Sequence, residues 1–196
     1  RHGVPLILDE IQTGFGRTGK LFAFEHRGVV PDILVLSKNV GGGIPAGVVM
    51  PREEIAEDFR TGTTPTHSGN ALACRAGLAA LEVLVRERLW ENAARMGQRF
   101  EDGFESMGTS RHVGEARFKG LMGGVELVQD RKTKEPLSRE AVGRIKEALL
   151  RRFVITSASG PRGNVFRVQP PLVVTADQVD RVVAAFDEAI AEVIGA

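Results

Sequence analysis

The 196-residue chain has no tyrosine, one tryptophan and one cysteine. A lone thiol, Cys74, excludes an internal disulfide framework and suits a reducing cytoplasm. Charge of either sign is not in excess: the net charge is +1, so no broad basic face points to nucleic acid or to an acidic membrane surface. No apolar run approaches the ~20 residues of a membrane-spanning helix, and no signal-peptide pattern, internal repeat or low-complexity tract is present. What remains is ordinary globular composition, with 42% apolar and 26% charged residues, enough for one domain or for a larger and a smaller one.

What the chain does have is a pair of apolar runs ending in chemistry. Leu6-Ile-Leu-Asp9-Glu10 is a short apolar strand that ends in two carboxylates. Ile33-Leu-Val-Leu36 is a second, ending in Ser37-Lys38 and then Gly41-Gly-Gly43. Continuous apolar strands of this kind belong to parallel sheets covered on both faces, and α/β folds place ligands at the carboxyl ends of such strands. On the second stretch alone, a strand-end lysine that reaches out to water is the simpler account of Lys38.

The rest reads in order. Gln12 to Gly19 is a glycine-rich loop, Lys20 to His26 a short helix, and Pro45 to Met50 another strand. Pro51 suits the first turn of a helix running to about Arg60. Thr61 to Asn70 is a hydroxyl-rich loop, and helical periodicity covers Ala71 to Arg86 and Leu89 to Met107. Two strands separated by a glycine turn occupy 116–128, a charged turn follows at Asp130–Pro136, and Ser138 caps a helix to about Arg152. Phe153–Ile155 and Val165–Val168 read as strands, and Thr175-Ala-Asp-Gln178 is a capping box for a last amphipathic helix. The order α-β-β-α-β-β-α from about residue 89 predicts a small α+β domain over 88–196, beside the part of a larger α/β domain formed by 1–87.

Three groups now belong together. Asp9 ends one strand, Lys38 ends the next, and Arg167 lies on a strand of the second domain. An amine, a carboxylate and a guanidinium suit a pyridoxal phosphate enzyme: nucleophile, partner for a pyridinium nitrogen, and fork for a substrate carboxylate. The motif Leu6-Ile-Leu-Asp-Glu-Ile-Gln-Thr-Gly-Phe-Gly-Arg-Thr-Gly19, followed by Pro31-Asp-Ile-Leu-Val-Leu-Ser-Lys38, resembles the signature of class III aminotransferases, which are fold-type I pyridoxal phosphate enzymes. The resemblance continues through Thr66-His-Ser-Gly-Asn-Ala-Leu-Ala-Cys74, Lys119-Gly-Leu-Met122 and Asn164-Val-Phe-Arg-Val-Gln-Pro-Pro-Leu172, in family order along nearly the whole chain.

The resemblance implies an α/β fold: the C-terminal part of the large pyridoxal-phosphate-binding domain, with a mostly parallel sheet and flanking helices, plus a small α+β C-terminal domain. It implies that Lys38 forms the Schiff base with pyridoxal 5'-phosphate and shuttles protons, and that Asp9 pairs with the pyridine nitrogen. Gln12 would lie near the cofactor's phenolic oxygen, the alternative being a loop glutamine in solvent. Thr66 would reach the phosphate of the neighbouring subunit's cofactor, which implies a homodimer. Arg167 would bind a substrate carboxylate, the alternative being a structural ion pair. The expected partners are an amino acid and a 2-oxo acid in the cytoplasm, with no nucleic acid, membrane or metal.

Within the family, Asp32–Lys38, Val128–Pro136 and Val165–Leu172 resemble 2,2-dialkylglycine decarboxylases, with 4-aminobutyrate-type transaminases similar too. Asn70, however, stands where such a decarboxylase has an aspartate that helps hold an alkali metal ion. The preferred expectation is therefore an ω- or α-amino acid:2-oxo acid transaminase, with decarboxylation-dependent transamination, a mutase or racemase, and a non-catalytic fragment as alternatives. In this family an upstream half supplies the phosphate cradle and the ring that stacks on the pyridine. The chain opens on Arg1, has no tyrosine, and carries Trp90 on a helix after the motifs, so the expectation is that it binds cofactor poorly by itself.

Overall fold

A computed structural model describes residues 3–58 and 66–195. The expected helix end at Arg60 and the loop residues 61–65 lie outside the described residues. The chain divides into two compact units, Arg1–Glu91 and Asn92–Ala196.

The first unit is built on a three-stranded sheet. β1 (Ile7–Asp9) pairs in parallel with β2 (Ile33–Leu36), and β2 pairs antiparallel with β3 (Val48–Pro51). A short 3-10 helix, Ala23–His26, occupies the β1–β2 connection, and another, Lys38–Gly41, follows β2 directly. α1 (Glu53–Asp58) and α2 (Ala71–Arg86) complete the unit. Pro51 closes β3 opposite Ile33 and is not part of a helix. β3 has one neighbour among the described residues, so the missing N–H of proline leaves no ladder bond unmade there. β1 also differs from expectation. It forms the strand but is not buried, since Ile7 is 58% exposed and its sheet has β2 on one side only among the described residues.

The second unit begins in α3 (Leu89–Ser106) and continues through β4 (Val113–Lys119), β5 (Met122–Leu127), α4 (Arg139–Arg151), β6 (Ala158–Ser159), β7 (Val165–Val168) and α5 (Ala176–Ile194). Its antiparallel sheet has the order β4-β5-β7-β6. Phe100, Phe104, Phe118, Phe166 and Phe186 form a connected array of rings, stacked or edge-to-face at 5.1–6.2 Å, in a core completed by Leu121, Leu127, Ile145, Leu149 and Ile190. The helices start where their caps predict: Ser138 Oγ accepts from Ala141 N, and Thr175 and Gln178 form a reciprocal capping box. Gly97 lets α3 touch the β4–β5 turn, since a Cβ there would lie 2.0 Å from the Gly120 carbonyl oxygen.

Phe153–Ile155 is not a strand. Phe153 adopts φ +60 just past the end of α4, its N–H bonds to Leu150 O at 3.0 Å, and the Val154 N–H bonds to Leu149 O at 2.9 Å. This is a left-handed helix stop, normally a glycine's position, and it delays the strand to Ala158.

Candidate functional site

β1 and β2 run in the same direction with Asp9 paired to Val35, so Asp9 and the Ser37-Lys38 exit sit at the same end of the sheet. The two carboxylates that end β1 part company because successive strand residues point to opposite faces. Glu10 is 3% exposed and fully occupied: its Oε2 accepts from Thr13 Oγ1 at 2.9 Å and Ala23 N at 2.8 Å, and its Oε1 accepts from Phe24 N at 2.8 Å. It ties both ends of the glycine-rich loop to the strand. Asp9 is exposed, and its Oδ1 accepts from Ile11 N at 2.9 Å, which orients the carboxylate and leaves Oδ2 uncommitted among the described residues.

Gln12 is exposed in the same loop. Thr18 and His26 brace the loop from beneath, with His26 Nε2 3.1 Å from both Thr18 O and Thr18 Oγ1. Arg17, also in the loop, is partly buried, and burial pulls its guanidinium below its ordinary value.

Lys38 has φ +50, a left-handed backbone that costs a non-glycine residue about 1–2 kcal/mol. Such strain persists only where neighbours enforce it. Here Ser37 Oγ donates to Ala46 O at 2.7 Å, closing the turn behind the lysine. The turn is also pressed by α2. A Cβ on Gly77 would lie 2.4 Å from Val40 O, and one on Gly42 would lie 3.0 Å from Ala76 O. A glycine in a helix interior is disfavoured by propensity, so Gly77 is there for this approach. The Lys38 side chain is exposed and no carboxylate pairs with it among the described residues. Thr66 is exposed in the turn that leads into α2, whose cap is Asn70 with Oδ1 accepting from Ala73 N at 3.1 Å.

Arg167 lies in the second unit, on β7. Asn164 anchors the start of that strand, with its Nδ2 donating to Leu127 O at 2.8 Å. Phe166 and Val168 are buried and Arg167 is exposed, as strand alternation requires. Its guanidinium donates to Ser157 Oγ from Nε at 3.2 Å and from Nη2 at 2.8 Å. No acidic side chain pairs with Arg167 among the described residues, so the ion-pair alternative has no partner there. Arg167 lines an open cavity of about 400 Å³ together with Phe100, Val154, Thr156, Ser157 and Val182.

The structure thus brings Asp9, Gln12 and Lys38 to one end of one sheet, attaches Thr66 to the helix that packs on the lysine turn, and places Arg167 in the other unit. Sequence reasoning left Glu10 without a role and missed Ser157 and Gly77. Only Gly77, as a helix-interior glycine, carried a readable signal.

The family model described as aminotransferase class-III matches residues 1–190. Diaminobutyrate–2-oxoglutarate aminotransferase of Rhizobium meliloti is 40% identical over 190 residues, covering 93% of this chain and 40% of that protein. Leucine/methionine racemase of Thermococcus litoralis is 39% identical over 194 residues, covering 98% and 43%. A solved transaminase from the marine bacterium Virgibacillus superposes with a TM-score of 0.90 at 34% identity, covering 97% of this chain and 46% of that one. The chain therefore spans less than half the length of these relatives.

Proposed function

The chain belongs to the class-III aminotransferase family, whose members depend on pyridoxal phosphate, and on that premise we propose that it carries the lysine and acidic half of a transaminase site acting between an amino acid and a 2-oxo acid. The observation that carries this reading is the placement of Asp9 and Lys38 at the same ends of adjacent parallel strands. Among the described residues the donor set fits the cofactor: an amine with no carboxylate partner, a carboxylate with one oxygen uncommitted, and an exposed glutamine and threonine at the same unit's loops.

Pyridoxal phosphate, when bound, takes up the amino group and draws electrons from the substrate's Cα. Lys38 would supply the amine that holds the cofactor, and the same amine would carry the proton at the substrate's Cα. Asp9, oriented by the Ile11 N–H, accepts a hydrogen bond from the protonated pyridine nitrogen and keeps it charged. Gln12 donates toward the phenolic oxygen. Thr66 offers its hydroxyl to a phosphate across a homodimer interface. Arg167 takes the substrate carboxylate.

We place the catalytic unit in a longer polypeptide in the cytoplasm. Its relatives are more than twice this length, the β1 face is open, and the single cysteine, Cys74, is exposed and unpaired. No described helix is long and apolar enough to cross a membrane. Racemisation is the second reading, favoured by the likeness to the Thermococcus racemase.

Borohydride reduction of the cofactor-loaded gene product should attach the cofactor to the peptide containing Lys38. Lys38→Ala should lose that label and at least ~10³-fold in rate. A label on Lys20 or Lys119 overturns the assignment. Product analysis separates the two readings: a new amino acid and a 2-oxo acid support transamination, and inversion of one amino acid without exchange supports racemisation.

A further inference from the structure

Arg167 and the Thr156-Ser157 pair share four hydrogen bonds. Arg167 N donates to Ser157 O at 3.0 Å, and Thr156 Oγ1 donates to Arg167 O at 2.7 Å. The other two are the Nε and Nη2 bonds to Ser157 Oγ. The backbone bond continues the β6–β7 pairing beyond Ala158 and sets Ser157 directly across from Arg167. A hydroxyl oxygen has two lone pairs, so this one serine saturates the Nε–Nη2 edge of the guanidinium. Arginine has five N–H donors, of which two are used among the described residues. The remaining three lie on Nη1 and on the outer side of Nη2, the edge that matches the two oxygens of a carboxylate. A carboxylate at position 157 could make the same two bonds but would neutralise the guanidinium. A serine holds it and leaves its charge available.

We propose that Ser157 is the positioning residue that aims Arg167: its hydroxyl locks the inner edge of the guanidinium so that the outer edge meets a ligand carboxylate as a bidentate fork. This rests on the reading of Arg167 as the carboxylate anchor. It makes Ser157 a determinant of substrate class, favouring amino and oxo acids over amines that lack a carboxylate. Phe100, Val154 and Val182 line the same cavity and give the aliphatic part of a ligand an apolar wall beside the guanidinium.

The test uses the full gene product and propionate as a non-reacting carboxylate probe, with its Kd read by calorimetry. Ser157→Ala should weaken propionate and raise KM for a 2-oxo acid by about tenfold, while kcat and the KM of a carboxylate-free primary amine stay within about twofold. Ser157→Thr should restore both. Arg167→Ala should weaken propionate more than Ser157→Ala does. If Arg167→Ala weakens propionate and Ser157→Ala does not, the positioning role is wrong and the anchor reading stands. If neither variant changes propionate binding, both fall. Should Ser157→Ala fail to fold, Ser157→Cys decides, since its thiol keeps the shape but is a poor acceptor: loss of about tenfold in propionate affinity supports the positioning role, and unchanged affinity overturns it.

Discussion

The two units hold themselves together by different means. The second closes a core of its own, with Phe100, Phe104, Phe166 and Phe186 fully buried and helices α3, α4 and α5 laid against one antiparallel sheet. Among its described residues the first buries few large apolar side chains, chiefly Phe15, Leu34, Leu36 and Leu84, while Ile7, Val49 and Leu72 are 58%, 64% and 68% exposed. Its order comes from polar ties instead: the Glu10 carboxylate, the Ser37 hydroxyl and the glycines that let α2 meet the lysine turn. The residues proposed for the chemistry of the amine and the pyridine sit in the unit held by hydrogen bonds, and the proposed carboxylate anchor sits in the unit held by packing. Hydrogen-bonded order is directional. It is also easier to break locally than a packed core.

The largest expected effect tests the packing side of that contrast. Phe186 meets Phe104 and Phe166 edge-to-face and is fully buried, so Phe186→Ala should cost about 3–5 kcal/mol. Ile7→Ala removes a side chain already more than half in water and should cost less than about 1 kcal/mol in the 196-residue chain. Urea denaturation of both variants measures this. Equal losses would dissolve the contrast.

Next comes the polar side. Glu10→Gln keeps the shape but presents an amide N–H₂ where the backbone N–H groups of Ala23 and Phe24 point. One buried donor loses its acceptor, at about 2 kcal/mol. Amide exchange at Ala23 and Phe24 should accelerate by roughly 30-fold, and exchange at Ile190 should not change. A global acceleration would mean that the two units do not keep separate stabilities.

A smaller effect is set by acid. Burial pushes the Asp187 carboxyl up, but hydrogen bonds from Thr109 Oγ1, Thr109 N and Gly108 N outweigh it and hold the group below its ordinary value. A carboxylate with a depressed folded pKa gives stability that is present above its unfolded value of 3.8 and is lost as pH falls through the folded one. The second unit should therefore lose stability below about pH 4, and Asp187→Asn should flatten that loss while costing about 1 kcal/mol at neutral pH. Melting curves at pH 3 and pH 7 decide it. An unchanged acid limb in the variant would exclude Asp187 as its source.

Much of this is legible in the sequence. The strand-end positions of Asp9 and Lys38 could be read because an apolar run that stops at a charged residue has a direct structural meaning at a sheet's carboxyl end. The caps Ser138 and Thr175 were legible because their side chains act within three residues, whereas Asn70 reads as the end of a loop rather than as a cap. Pairings across strands were not. Nothing in Asp9-Glu10 says which carboxylate turns inward, since that depends on where Ala23 and Phe24 return. Ser157 was hidden for a second reason. The apolar triplet Phe153-Val154-Ile155 has the composition of a strand, and assigning it so displaces the register of everything that faces Arg167.

That triplet carries the smallest effect. Phe153 is 90% exposed, so its ring contributes almost nothing to the core, and its backbone stands at φ +60 to end α4. Glycine adopts that conformation without the Cβ clash and keeps both N–H bonds that stop the helix. Against this, glycine loses more chain entropy on folding, which offsets part of the gain. Phe153→Gly should therefore raise the stability of the second unit by somewhat less than about 1 kcal/mol, with the β6–β7 pairing and the Ser157–Arg167 bonds intact. Thermal melting reads the shift. A loss of stability would show that the exposed ring is covered in solution, and the packed unit would then be less self-contained than its core indicates.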